Sequence, residues 1–282
     1  MRDLAIDVEG LASHCSDLLR DGCDGVVVFG TTGEATSFTV DEKTSALEIL
    51  IERGVPPERM MVGTGCAAVP DSIALTRHAT QLGVGGVLVL PPFYFKGVTD
   101  EGVIAAYDQI IQGVGDENLR LYLYHFPHLS GVALSLDVVE KLKTRYPKTV
   151  VGLKDSSGDA EGLERFCGAF PQLKIFPGTE SLLLESLRMG SAGCISASFN
   201  ATGPLGAEVM RRSKEADAES LQARLTRIRR VFESEPIIAG LKATLARRTG
   251  IEEWSLMRPP LVALDAIRAD RLAAALEAEG VS

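Results

Sequence analysis

The chain has 282 residues, 45% of them hydrophobic, enough to bury one large core or one core with a small appendage. Its formal net charge of −9 argues against a nucleic-acid partner, which would need clustered Lys and Arg to displace counterions. No apolar run approaches the roughly 20 residues that span a bilayer, no N-terminal pattern resembles a signal peptide, and five cysteines without a CxxC pair fit a reducing cytoplasm.

The chain opens on a helix-like stretch, 7–22 ("DVEGLASHCSDLLRDG"). Strands are expected at 25–30, 59–65, 85–91, 119–126, 149–154, 173–177 and 192–198. Most are continuous apolar runs rather than alternating ones, as when both faces of a parallel sheet are covered. Amphipathic segments lie between them at 40–52, 70–82, 99–113, 135–145, 159–169 and 180–189, several opened by Asp, Ser or Thr caps. A strand–helix repeat of about 30 residues fits either an α/β barrel or a doubly wound sheet.

The polar and glycine-rich segments favour the barrel. "GTTGE", "GTG", "PPFYF", "YHFP", "KDSSG", "PGTE" and "SFNATG" each follow a strand, and in a (β/α)8 TIM barrel the loops at that end build the active site. After residue 200 helices are expected at 204–232, 236–249 and 266–279, with "MRPP" (257–260) as a loop. The expected organisation is a TIM-barrel catalytic domain, 1–215, followed by a C-terminal helical domain, 216–282. Seven strands are found where a closed barrel has eight. The first is missing from the chain start, so either the start is truncated or another segment closes the barrel. The mixed-charge stretch 211–230 reads as a solvated helix face.

The chemistry centres on "VVGLKDSSGD" (150–159), which ends an apolar strand on Lys154. One reading is a salt bridge, with Asp155 beside it. The other is an imine-forming lysine, because an apolar surrounding penalises the charged ammonium that must lose its proton before attacking a carbonyl. Tyr124 ends the strand one unit earlier, so in a parallel barrel both side chains reach the same rim, where a phenol can shuttle protons. The loop "FGTTGEAT" (29–36) offers backbone N–H groups and hydroxyls to a carboxylate and does not fit the dinucleotide fingerprint.

Together, "GTTGE", "Y-x-x-P-x-x-S-G" (124–131), "GLKDSSG" (152–158) and "PGTE…GCISASFN" (177–200) resemble the dihydrodipicolinate synthase and N-acetylneuraminate lyase family of Schiff-base aldolases. The resemblance runs from about residue 5 to "RPPL" at 258–261. It implies a (β/α)8 barrel with C-terminal helices, assembled as a tetramer from two tight dimers. It also implies that Lys154 forms an imine with pyruvate or another 2-oxo acid, with Tyr124 as acid/base. Thr31 and Thr32 would hold the carboxylate, the Thr32 hydroxyl also relaying protons. Tyr94 matches a tyrosine that completes the relay of an adjacent subunit, and Gly178 and Ile195 match positions where backbone groups approach substrate. No metal or cofactor is implied, and four histidines are few for a metal enzyme.

Two residues depart from the pattern. Leu129 stands where the synthases and many lyases carry an arginine for a second carboxylate or a sugar acid, and leucine offers no bidentate fork. The related 2-keto-3-deoxy sugar-acid aldolases also lack that arginine. His125 replaces a common asparagine and His128 lies three residues on; either one of them contacts the aldehyde-side group or both pack the loop. The resulting expectation is a pyruvate-dependent class I aldolase acting on a 2-keto-3-deoxy acid. The alternatives are the synthase that condenses pyruvate with aspartate semialdehyde, a dehydratase with the same imine chemistry, a metal-dependent aldolase, and a barrel that binds a 2-oxo acid without catalysis.

Overall fold

The computed structural model describes residues 5–281. Residues 1–4 and 282, the outer ends of the two expected domains, lie outside the described residues.

Six strands form one parallel sheet and pair in chain order: β1 (Val26–Val28), β2 (Met60–Gly63), β3 (Gly86–Val89), β4 (Leu121–His125), β5 (Val150–Asp155) and β6 (Lys174–Pro177). Helix α1 (Val8–Arg20) precedes the sheet. The crossovers are α2 (Val40–Glu52), α3 (Val69–Gln81), α4 (Asp100–Val114), a short α5 (Pro127–Ser130) with α6 (Leu136–Arg145), and α7 (Ala160–Ala169). After β6 come α8 (Leu183–Arg188), α9 (Phe199–Arg211), α10 (Ala218–Glu233), α11 (Ile237–Thr249) and α12 (Ala266–Ala278).

Local chemistry sets these boundaries. Helix α2 begins with a capping box in which the Thr39 hydroxyl accepts from the Glu42 amide while the Glu42 carboxylate accepts from the Thr39 amide. Helix α6 is capped by Ser135 and α7 by Asp159. Helix α4 presents Val103, Ile104, Tyr107, Ile110, Ile111 and Val114 to the core, the spacing of one helical face.

The sheet has two different faces. Outward residues such as Val62, Leu121, Leu123, Val150, Leu153 and Ile175 join the helices in the main apolar core. Inward residues form a separate cluster in which Leu88, Tyr122 and Tyr124 meet Val27, Met61, Val151 and Phe176. Between β4 and β5 the register slips: Leu121 stands beside Val150, but Tyr122 stands beside Gly152. This bulge absorbs Val151, so that Val150 and Leu153 both face outward despite their odd separation.

Two expected elements differ. Residues 192–198 run beside β6, with the Ala192 amide donating to Ile175 O (2.8 Å) and the Ile195 amide to Pro177 O (3.1 Å), but they form no regular strand. Gly193, at φ +143°, breaks the extended geometry. Among the described residues no strand pairs with the free edge of β1. The helix expected at 204–232 is two helices, α9 and α10, parted where Arg212 gathers the carboxylates of Glu208, Glu215 and Asp217 into a turn. Nor is 211–230 wholly a solvated face, since the Arg229 side chain is only 13% exposed.

The cluster of Leu183, Leu184, Val209, Ala218 and Leu225 packs residues on both sides of position 215 together. Arg258 adds a tie from the last third of the chain, donating to Ser37 O (2.7 Å) and pairing with the Glu42 carboxylate. That hydrogen bond, helped by the Thr39 amide, pulls the Glu42 pKa down to about 2.

Two stability predictions follow from this packing. A Cβ at Gly152 would lie 2.3 Å from the Tyr122 ring and 2.4 Å from Lys174 O, so Gly152→Ala is expected to cost about 1–3 kcal/mol in urea unfolding. Because the folded-state pKa of Glu42 is depressed, its contribution is present above the ordinary carboxylate range and is lost as pH falls toward 2. The Glu42 side chain is 33% exposed, which limits the effect to about 1 kcal/mol or less; Glu42→Gln should flatten that part of the acid limb in a pH series of melting temperatures.

Candidate active site

The β4–β5 register places Tyr124 directly beside Lys154. Their side chains point to the inner face, where Lys154 Nζ lies 3.4 Å from the Tyr124 hydroxyl and 4.6 Å from the centre of its ring. Tyr124 is buried and stacks on Phe126, which fixes the phenol. Its hydroxyl also lies 3.2 Å from Thr31 Oγ1, giving a continuous chain Lys154–Tyr124–Thr31.

Asp155 is not part of that chain. Alternation along β5 sends its carboxylate outward, where it accepts from the Ser157 amide (2.8 Å) and lies 4.0 Å from His125 Nε2. Among the described residues no carboxylate pairs with Lys154, which removes the salt-bridge reading of this lysine.

The loop after β1 is folded back by two non-glycine residues in left-handed conformation, Phe29 (φ 53°) and Glu34 (φ 54°). Such conformations are costly and persist only where surrounding contacts impose them. One contact is the Phe29 carbonyl, which sits where a Cβ on Gly63 would come within 1.9 Å, so only glycine fits on β2 there. Another is the Glu34 carboxylate, buried and bonded to Lys242 Nζ of α11 at 2.5 Å. The Glu34 amide donates to Thr31 O (3.1 Å) and the Ala35 amide to Gly30 O (3.3 Å), while among the described residues the amides of Thr31 and Thr32 have no acceptor. Two unpaired N–H groups at a tight turn make a cradle for an anion.

A cavity of about 1560 Å³ opens beside this group, and Thr31, Thr32, Lys154, Cys194, Ile195 and Ser196 are among the residues that line it. The Cys194 thiol donates to Pro177 O (3.3 Å), and burial, reinforced by Glu180, pushes its pKa well above the usual thiol range. It is an inert wall rather than a nucleophile.

Of the expected site residues, Lys154, Tyr124, Thr31, Thr32 and Ile195 come together. The hydroxyl that touches Tyr124 is that of Thr31, not that of Thr32 as expected, because the turn aims the first threonine at β4. Gly178 packs under the rim with its amide on Asp155 O (2.6 Å), and a Cβ there would collide with Ser156. Leu129 and Tyr94 are 60% and 75% exposed and lie outside the cavity lining.

His125 faces the wrong way for an aldehyde contact. As the outward neighbour of Tyr124, it accepts from the Leu134 amide at Nδ1 (3.0 Å) and packs edge-on against Phe166. Burial lowers its pKa, partly opposed by Asp155. It is a neutral strut for the loop before α6. The Lys242 partner of Glu34 escaped the sequence reading because 208 residues separate the two and neither local spacing signals the pair.

The description of the dihydrodipicolinate synthetase family matches residues 2–279. The chain belongs to that family. A DapA-like lyase of Chloroflexus aurantiacus is 35% identical over 96% of this chain and 90% of its own length. The 4-hydroxy-tetrahydrodipicolinate synthase of Rhizobium meliloti is 30% identical over 98% and 94%. Among solved structures, dihydrodipicolinate synthase from Agrobacterium tumefaciens superposes with a TM-score of 0.88 at 30% identity, covering 96% of this chain and 93% of that one. YagE of E. coli, a family member solved in complex with pyruvate, gives 0.89 at 25% identity over 100% and 95%. Members of the family are lyases, and this chain is an enzyme of that class.

The geometry assigns His125 to stability. His125→Ala leaves the buried Leu134 amide without an acceptor, so it is expected to lower stability by about 1–3 kcal/mol while the folded fraction keeps its catalytic rate. Denaturant titration paired with active-site counting checks both halves.

Proposed function

We propose that this dihydrodipicolinate synthetase family member is a pyruvate-dependent class I aldolase that cleaves or forms a carbon–carbon bond in a 2-keto-3-deoxy acid through an imine on Lys154. The observation that carries the reading is the uninterrupted contact chain Lys154–Tyr124–Thr31 beside a cavity.

The 2-oxo acid places its carboxylate on the free amides of Thr31 and Thr32, which brings C2 toward Lys154 Nζ. The neutral amine attacks C2, and the carbonyl oxygen takes up a proton to give a carbinolamine. Tyr124 then donates a proton to that hydroxyl, water leaves, and the nitrogen lone pair closes the iminium. The phenolate recovers its proton through Thr31 from the C4 hydroxyl of the bound acid; as that proton leaves, the C3–C4 bond breaks and its electron pair enters the iminium, giving an enamine and an aldehyde. Tyr124 then protonates C3, and addition of water to the iminium returns the proton to Tyr124 and releases pyruvate and free Lys154. The iminium is itself the electron sink, so the scheme uses neither metal nor cofactor.

Leu129 supports a 2-keto-3-deoxy acid over aspartate semialdehyde, because a side chain without hydrogen-bond donors gives a second carboxylate nothing to bind. We read the curled sheet as a (β/α)8 barrel and residues 216–282 as helices that buttress it. Exposed Tyr94 and Phe95, packed edge to face at 5.4 Å beside exposed Val98, support a contact with another subunit of a homotetramer, through which Tyr94 would reach a neighbouring site. Five free cysteines accord with a cytoplasmic enzyme.

Borohydride reduction in the presence of pyruvate is expected to fix one pyruvate per chain on Lys154, identified by peptide mass spectrometry, with Lys154→Ala taking up none. Tyr124→Phe should slow trapping about 10²-fold or more without loss of fold. Undiminished labelling of the Lys154→Ala chain at another lysine would refute the assignment. Faster turnover of pyruvate with aspartate semialdehyde than with sugar-derived aldehydes would instead make it the synthase.

A further inference from the structure

One wall of the cavity is held by a group that the imine chemistry does not use. Glu180 follows β6 and is fully buried. Its Oε2 accepts from Arg229 Nη1 (3.2 Å) and from the Ser196 hydroxyl. Arg229, on α10, also donates to Ser196 Oγ (3.0 Å) and Ser198 Oγ (3.3 Å) and is anchored at its other end by Glu233 (2.7 Å). The second carboxylate oxygen of Glu180 has no partner among the described residues. Burying a carboxylate with half of its bonding capacity unmet is poor economy for stability alone, since an apolar residue would pack there without that penalty.

The position of the pair gives it a use. Residues 192–198 have no ladder of their own beyond two hydrogen bonds to β6, and Gly193 interrupts them. Yet Cys194, Ile195 and Ser196 line the cavity with Lys154. What defines the course of the wall past Ile195 is the grip of Arg229 and Glu180 on two alternate serines.

We infer that Glu180 and Arg229 form a positioning pair through which helix α10 sets the cavity wall at 194–198, and hence the binding of the 2-oxo acid against Lys154. This rests on the imine reading for its second half only. Neither residue lines the cavity, so the pair acts through Ser196 and Ser198 rather than on substrate.

The test uses the full chain with Arg229→Met, Arg229→Lys and Ser196→Ala. Hydrogen exchange at the Ala192 and Ile195 amides should rise about tenfold or more in Arg229→Met relative to amides of β5, a local opening rather than global unfolding. The pyruvate concentration for half-maximal borohydride trapping should rise about tenfold, while the trapping rate at saturation changes less than about twofold. Arg229→Lys should recover part of both effects, and Ser196→Ala should show a smaller rise in each. Should Arg229→Met fail to fold, Arg229→Lys and Ser196→Ala carry the same comparison. Wild-type exchange at both amides in the folded variants would overturn the inference. So would an unchanged half-saturation, or a fall in the saturating rate alone. If the wild-type chain traps no pyruvate, the functional reading has failed, and the exchange data still decide whether the pair holds the wall.

Discussion

The site depends on the way β5 lies against β4. A parallel ladder puts like ends of neighbouring strands together, and one bulged residue brings Tyr124 and Lys154 into the same row on the same face. Without the slip, the apolar pattern of β5 would conflict with its chemistry, since Val150 and Leu153 both belong to the outer core and Lys154 must face inward. Gly152 completes the arrangement by leaving room for the Tyr122 ring. The amine thus emerges among aromatic and aliphatic side chains with a phenol as its nearest polar neighbour.

The other half of the site is a turn that does not hold itself. Phe29 and Glu34 occupy backbone conformations that an isolated peptide would avoid, and contacts from distant chain segments impose them. Lys242 reaches back to Glu34 within that turn and Arg258 to Glu42 in α2 just after it, and Arg229 reaches to Glu180 behind another wall of the cavity. Three cations from the last quarter of the chain thereby set the rim of a site whose Thr31, Tyr124 and Lys154 all come from earlier residues. A buried ion pair is a weak source of net stability but a strong determinant of geometry, because its bonds are directional and its partners cannot be left alone. The helices after α9 are therefore part of the site's architecture rather than an appendage.

Specificity is governed by what is absent as much as by what is present. The residue after Tyr124 faces the helices, which keeps the His125 side chain out of the cavity, and the turn that follows offers Leu129 rather than a cation. The cavity is lined by Thr31, Thr32 and Lys154, and neither His125 nor Leu129 is part of that lining.

The sequence by itself determined the strand–helix alternation, the bounds of five of the six expected helical segments to within about two residues, and the placing of Lys154, Tyr124, Thr31 and Thr32 at the ends of strands, because hydrophobic period, caps and the ends of strands are local properties. Tertiary structure decided what alternation and spacing leave open. It chose Thr31 over Thr32 as the neighbour of Tyr124, turned His125 outward, replaced the seventh expected strand by an irregular wall, and drew Arg229 from a helix that looks solvated into a buried pair. These contacts join residues from nine positions apart, as in His125 with Leu134, to 93 apart, as in Thr31 with Tyr124, and none of them leaves a periodicity in the chain for the eye to find.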